Sequence, residues 1–127
     1  MSHPLYSVEL HDSEISVIEK VGSDVRLLFS PAYIHKDGKG WVQDLEVVVH
    51  QADMDMLGID LPATLTDGFM KSRIGYFRNL ISIPFSTDGN VEFEIEFMSG
   101  AKVSIHGEGI SHEFRSGPVF VEEFPST

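Results

Sequence analysis

From Val91 to Phe97 apolar and acidic residues alternate without a break. An extended strand puts Val91, Phe93, Ile95 and Phe97 on one face and Glu92, Glu94 and Glu96 on the other. A second alternating run, Ala101 to Ile105, follows Met98-Ser99-Gly100. If those three residues form a hairpin loop with Gly100 left-handed, Phe97 faces Ala101, Ile95 faces Val103 and Phe93 faces Ile105. The same register sets Glu96 against Lys102 and Glu92 against His106. A two-residue loop would pair Phe97 with Lys102 instead, because a slip of one residue exchanges the two faces.

The same grammar predicts strands through most of the chain. Leu5 to Leu10 reads as a short strand, interrupted by turn chemistry at His11-Asp12-Ser13. Ile15 to Val21 is rich in β-branched residues, but its apolar positions fit neither period, which predicts a strand with a bulge. Gly22-Ser23-Asp24 is a turn into Val25–Ser30, whose pairing Pro31 limits. Ala32 to His35 continues extended, and Lys36 to Gly40 is a polar loop tip. Trp41 to Gln51 is the longest predicted strand. Leu45, Val47 and Val49 share one of its faces, and Val48 interrupts the polar one, which suggests a central or doubly covered strand. From Ala52 to Asp60 the pattern dissolves, and this stretch reads as a functional loop. Leu61–Leu65 and Phe69–Arg73 flank Thr66-Asp67-Gly68, an Asp-Gly hairpin signal. Gly75 to Asn79 is less regular, Leu80 to Phe85 reads as an edge strand or strand end carrying Pro84, and Ser86 to Asn90 reads as a loop. Gly107-Glu108-Gly109 marks a bulge or corner before two last strands, Ile110–Phe114 and Val119–Phe124. About nine or ten short strands predict a single all-β domain over residues 1–127, an antiparallel β-sandwich or partly closed β-barrel.

Composition narrows the functional classes. A hydrophobic content of 42% in 127 residues supports a packed core and argues against disorder. The absence of cysteine removes disulfides, thiolate catalysis and cysteine-ligated zinc, and makes a reducing cytoplasm the natural setting. The first residues lack the basic and apolar runs of a signal peptide. Nine basic residues against twenty acidic ones leave a net charge of −11. Such a surface repels phosphate backbones and anionic lipid, so neither nucleic acid nor membrane is expected as a partner. It suits a cation or a basic protein, although acidic charge also serves simple solubility.

Several segments stand out as a set: His11-Asp12-Ser13, Pro31-Ala32-Tyr33-Ile34-His35, Gly40-Trp41-Val42-Gln43-Asp44, Leu61-Pro62, Thr66-Asp67-Gly68 and Asn79-Leu80-Ile81-Ser82-Ile83-Pro84. Gly89-x-Val91, Phe97-x-Ser99-Gly100, Ile105-x-Gly107-x-Gly109-Ile110 and Phe120-Val121-Glu122-Glu123-Phe124-Pro125 complete it. In this order of motifs the chain resembles a family of small bacterial proteins of uncharacterised function. The resemblance implies a compact bacterial all-β domain and no particular activity, since its motifs are mostly turn and core residues.

Candidate chemistry is sparse. Asp53 and Asp55 fall on one side of an extended chain, and Asp60 is near enough in sequence to join them as hard oxygen ligands for a divalent cation. The spacing is not that of an EF-hand, and a solvated loop explains the same residues. His35, His50, His106 and His112 have no ligand spacing and could meet only through the fold. His11-Asp12-Ser13 holds the residue types of a hydrolytic triad, but neighbours on a strand point to opposite faces, so backbone capping by Asp12 or Ser13 is the simpler reading. Glu92, Glu94 and Glu96 contain the carboxylates of a glycosidase pair, yet glutamate is also ordinary on an outer strand face. No glycine-rich phosphate loop precedes a helix. Tyr33, Trp41, Tyr76 and Phe77 flank loops and could form a ligand platform or simply cap the core.

The sequence therefore predicts a non-enzymatic, cytoplasmic, acidic β domain that binds a basic protein, as an inhibitor- or immunity-like partner does, with no cofactor. Its expected contact residues are Glu92, Glu94, Glu96, Glu122 and Glu123. One alternative is a small-ligand barrel with Tyr33, Trp41 and Tyr76 at its mouth. Another is a weak metal-dependent enzyme using Asp53, Asp55 and Asp60. Exposed strand edges and the apolar stretch from Phe69 to Phe77 also allow a homodimer.

Overall fold

A computed structural model describes residues 6–36, 38–56 and 58–123. These residues form eleven strands and no helix: β1 (Tyr6–Glu9), β2 (Glu14–Val21), β3 (Asp24–Lys36), β4 (Lys39–Val49), β5 (Asp53–Met56) and β6 (Ala63–Ser72), then β7 (Gly75–Arg78), β8 (Leu80–Ile83), β9 (Thr87–Phe97), β10 (Lys102–Phe114) and β11 (Val119–Glu123). All pairings are antiparallel. Six strands close a ring in the order β2-β3-β4-β10-β9-β6, and the short β2–β6 contact completes it through Glu14 opposite Thr64 and Ile15 opposite Ala63. The ring carries β1 and β8 beyond β3, β11 on β4, β5 on β10 and β7 on β6. The chain is an all-β domain of the partly closed barrel or sandwich type.

The alternation of side chains becomes the core. Val91, Phe93, Ile95 and Phe97 of β9 are each at most 1% exposed and pack with Val103 and Ile105 of β10, Leu45, Val47 and Val49 of β4, and Val25, Leu27 and Phe29 of β3. The β9–β10 hairpin has the register expected from its sequence, with Lys102 opposite Glu96, Val103 opposite Ile95, Ile105 opposite Phe93 and His106 opposite Glu92. Gly100 has φ of 92° and its N–H donates to Phe97 O at 2.8 Å, which closes the loop. The bulges expected in β2 and at Gly107–Gly109 are present, between Ile15 and Val17 and between Gly107 and Gly109. Pro31 sits inside β3, where the β3–β4 register shifts between Phe29 and Ala32, because proline has no N–H for the ladder. β4 is central, flanked by β3, β10 and β11, while β8 ends the sheet as its edge.

Four expectations are corrected. Asp67-Gly68 does not turn: β6 runs through it, with a bulge between Leu65 and Asp67. Gly68 is needed instead for close approach, since a Cβ there would lie 2.6 Å from Glu94 O and 2.7 Å from Leu10 Cδ1. The reversal falls later, between Ser72 and Gly75, and makes the β6–β7 hairpin. Residues 53–56 are a strand on β10 rather than part of a loop. Thr87 to Asn90 belong to β9, and β10 is one strand through the Gly107–Gly109 bulge, so the longest strands are β3 and β10 at 13 residues each. Leu5, Asp37, Leu57, Phe124 and Pro125 of the expected segments lie outside the described residues.

Candidate functional site

Strand register brings several of the singled-out residues onto one outer face. Glu92, Glu94 and Glu96 point outward from β9, between β6 and β10. Across β6 they meet Lys71, Phe69 and Asp67, and across β10 they meet His106, Ser104 and Lys102. On the far side of β10, Asp53 stands opposite His106 and Asp55 opposite Ser104, and both aspartates are exposed. The acidic pair and the three glutamates thus share a face, although they are far apart in sequence.

Three cross-strand rows define this surface. In the first, Asp67 and Glu96 stand opposite each other, Lys102 faces Glu96 from the other side, and Arg78 Nη2 donates to Asp67 Oδ2 at 2.7 Å, so each carboxylate has a cation beside it. The Arg78 guanidinium and the Gly68 N–H hold the Asp67 carboxyl below the usual carboxylate range. In the third, Lys71 and His106 flank Glu92, with His106 Nε2 3.6 Å from Glu92 Oε1. The middle row differs: Glu94 lies between Phe69 and Ser104, and Asp55 lies beyond Ser104. Arg78 of β7 ends this row opposite Phe69 and is engaged by Asp67; among the described residues, none of those directly opposite Glu94 or Asp55 is a cation. Ser104 Oγ donates to Glu94 Oε1 at 3.3 Å. With a strand spacing of about 4.8 Å, Glu94 and Asp55 sit roughly 10 Å apart around Ser104.

An aromatic pair borders the middle row. The rings of Phe69 and Tyr76 stack with centroids 5.7 Å apart and planes inclined by 24°, and Tyr76 is 57% exposed. The diagonal relation of β6 and β7 brings them together, since Lys71 rather than Phe69 stands opposite Tyr76. A groove of about 220 Å³ runs between Tyr76, Arg78 and Glu96, and another of about 170 Å³ lies between Phe69, Glu94, Ser104 and His106. The surface is a shallow trough with carboxylates along it and an aromatic stack at one side. Such chemistry receives guanidinium or ammonium groups, by charge pairing and by cation–π contact.

The other candidates are dispersed. Tyr33 and Trp41 point to opposite faces of the β3–β4 pair, because Ile34 is the residue opposite Trp41 and Val42 the one opposite Tyr33. Trp41 packs edge-on against Tyr6 at 5.6 Å, while the Tyr33 ring covers Gly40, where a Cβ would come within 2.9 Å of the Tyr33 hydroxyl. Tyr76 is on the β6–β7 hairpin, so the three aromatics do not line one mouth. Asp60 follows β5 and is exposed. Glu122 and Glu123 pair with Gly40 and Lys39 along β11, and their side chains lie outside the described residues.

His11, Asp12 and Ser13 form a turn and no triad. Ser13, buried at 0%, donates through Oγ to Glu9 O and accepts the Tyr33 N–H at 2.9 Å, so its hydroxyl serves the backbone. Among the described residues, Glu9, His11 and Asp12 are the one group of three such side chains whose donor atoms lie within 4.8 Å of each other. His11 Nδ1 faces Asp12 at 3.2 Å, and His35 Nε2 faces Glu9 at 3.4 Å.

Comparison of the chain with family models, with curated proteins and with solved structures gives no match. No helix among the described residues is long and apolar enough to cross a membrane.

Proposed function

We propose that the chain is a protein-binding β domain that docks a basic segment of a partner on the outer face of β7-β6-β9-β10-β5, as an inhibitor- or immunity-like protein does in a bacterial cytoplasm. The observation that carries this reading is the middle row, Phe69–Glu94–Ser104–Asp55, beside the exposed Tyr76 ring. It combines two carboxylates that face Phe69 and Ser104 rather than a basic side chain with an aromatic surface already in place. An arginine laid on the Phe69–Tyr76 stack can reach Glu94, and a second cation further along the segment can reach Asp55. The net charge of −11 steers such a partner from a distance. The pre-formed strands limit the ordering cost of binding.

The test is calorimetric titration of the full chain with an arginine-rich peptide and a lysine-rich peptide of equal charge. The reading expects arginine to bind more tightly, and Tyr76→Ala to weaken it by roughly 5- to 30-fold, equivalent to about 1–2 kcal/mol for a desolvated cation–π contact. Equal binding of both peptides, unaffected by Tyr76→Ala and Glu94→Gln, would reduce the interaction to diffuse charge and remove the proposed site.

A further inference from the structure

Away from the docking face, three side chains distant in sequence form a hydrogen-bonded line. Asp24 opens β3, His50 follows the last residue of β4, and Ser111 lies in β10 beyond the Gly107–Gly109 bulge. These strands are adjacent, with Val25 opposite Val49, and Val49 opposite Ile110. Those three apolar residues face the core, so the neighbours Asp24, His50 and Ser111 share the outer face. Asp24 Oδ2 is 3.4 Å from His50 Nδ1, and His50 Nε2 is 3.0 Å from Ser111 Oγ. The two ring nitrogens thus face a carboxylate and a hydroxyl, respectively. With the proton on Nδ1, toward Asp24, the Nε2 lone pair faces Ser111. The longer of the two contacts is ordinary for a resting site, whose hydrogen bonds tighten when charge develops.

The surroundings hold this line in place and leave it accessible. Asp24 is fixed from behind, since its Oδ1 accepts the Gln51 N–H at 3.1 Å, and this bond is the main cause of a carboxyl pKa below the usual range. The aspartate is therefore anionic at neutral pH. His50 is anchored through its backbone, which donates to Gly109 O and accepts from Glu108 N–H, each at 2.8 Å. Gly109 lies against the imidazole, where a Cβ would touch His50 Cδ2 at 3.5 Å and Thr87 O at 3.4 Å. The His50 side chain is 44% exposed. Val48, the residue that interrupts the polar face of β4, stands directly opposite Ser111, with Arg26 opposite it on the other side. It offers a small apolar surface beside the hydroxyl.

We infer that Asp24, His50 and Ser111 form an acyl-transfer site that hydrolyses small esters with a good leaving group. Ser111 Oγ attacks the ester carbonyl while its proton passes to His50 Nε2, and Asp24 stabilises the resulting imidazolium. The C–O bond to the alcohol breaks, and the leaving oxygen takes the proton from His50. Water, deprotonated by His50, then attacks the acyl-serine, releasing the acid and restoring the Ser111 hydroxyl. A nucleophile and base on an open sheet suit acyl groups whose leaving alcohol needs little help, and Val48 opposite Ser111 gives a short acyl chain an apolar neighbour. This site lies apart from the docking face and uses none of Asp53, Asp55 and Asp60, the residues that the sequence offered for a metal-dependent enzyme.

The test incubates the full chain with p-nitrophenyl acetate and, separately, with a fluorophosphonate, followed by acid quench and peptide mass mapping. The expected result is acetyl and phosphonyl adducts on Ser111, and turnover roughly 10²-fold above the Ser111→Ala and His50→Ala variants, the scale of a positioned base. Asp24→Asn, which keeps an acceptor for Gln51, should retain the adduct and slow its formation. Absence of any Ser111 adduct on the unaltered chain, or adducts confined to surface lysines, would overturn the inference without reference to any variant. Turnover unchanged in a folded Ser111→Ala chain would do the same.

Discussion

Gly68 discriminates most sharply between a turn and a strand at Asp67-Gly68. In a hairpin turn glycine would be needed for a left-handed backbone, and asparagine would be the best replacement. Here the requirement is space. An added Cβ would lie 2.6 Å from the Glu94 carbonyl oxygen, 2.7 Å from Leu10 Cδ1 and 3.3 Å from Ile95 Cα. Leu10 is fully buried and could shift only against the core, while the Glu94 carbonyl belongs to the β6–β9 ladder. Overpacking of this kind costs about 1–3 kcal/mol, and Gly68→Ala should fall at the upper end because a backbone atom is the obstacle. For a domain of this size that is a drop in Tm of roughly 5–12 °C. Gly68→Asn should be worse than Gly68→Ala. At Gly100, where φ is 92° and nothing lies within 4 Å, the order should reverse, with asparagine better tolerated than alanine. Urea melts of the four variants, followed by far-ultraviolet circular dichroism, measure both orders. A Gly68→Ala chain within about 0.5 kcal/mol of the parent, or a Gly68→Asn chain more stable than the Gly68→Ala one, would refute the reasoning.

Further predictions follow from the core and the charges. Phe93, only 1% exposed, lies in the core, and Phe93→Ala should cost about 3–5 kcal/mol in a denaturant melt, with loss of the β9–β10 hairpin's hydrogen-exchange protection. Glu46 receives Arg26 Nε and, at 2.6 Å, Arg115 Nη2 while only 13% of its side chain is exposed. Glu46→Gln, which leaves two guanidinium groups facing one another, should cost about 1–2 kcal/mol at neutral pH. Asp24, Glu46 and Asp67 all have carboxyl pKa values lowered by their partners: the Gln51 N–H, the two arginines, and Arg78 with the Gly68 N–H. A lowered folded-state pKa contributes stability that is complete above the unfolded value and is lost as pH falls through the folded one. Burial also lowers the pKa of the His112 imidazole, so melting temperature should begin to fall below about pH 6.5 and fall further below about pH 4, the latter step being shallower in Glu46→Gln.

Much of the fold was legible because its rule is local. Period two, with Gly100 as the left-handed loop residue, sets the β9–β10 register through all its pairs down to His106 opposite Glu92. The glycines at 107 and 109 and the broken pattern at Ile15–Val21 announce their bulges for the same reason. Asp67-Gly68 misled because an Asp-Gly pair in a bulged strand reads like one in a turn, and the obstacle to a side chain comes from Leu10 and β9. β5 escaped notice because it is four residues long, and its pairing with β10 is a tertiary fact. The candidate sites divide along the same line. Glu92, Glu94 and Glu96 could be singled out from alternation alone. Their association with Asp55 and the Phe69–Tyr76 stack depends on β10 and β7 lying beside them. The line from Asp24 to His50 to Ser111 spans sequence separations of 26 and 61 residues and leaves no spacing to read.

The central claim is that the trough beside Phe69 and Tyr76 recognises a cationic segment. It is tested most directly by nuclear magnetic resonance titration of the isotope-labelled chain with an arginine-rich peptide. The account predicts amide and ring shifts concentrated at Phe69, Tyr76, Glu94, Ser104 and Asp55, weakened by added salt and abolished by Glu94→Lys. Shifts spread evenly over the acidic surface, or centred on another face and indifferent to Glu94→Lys, would contradict it.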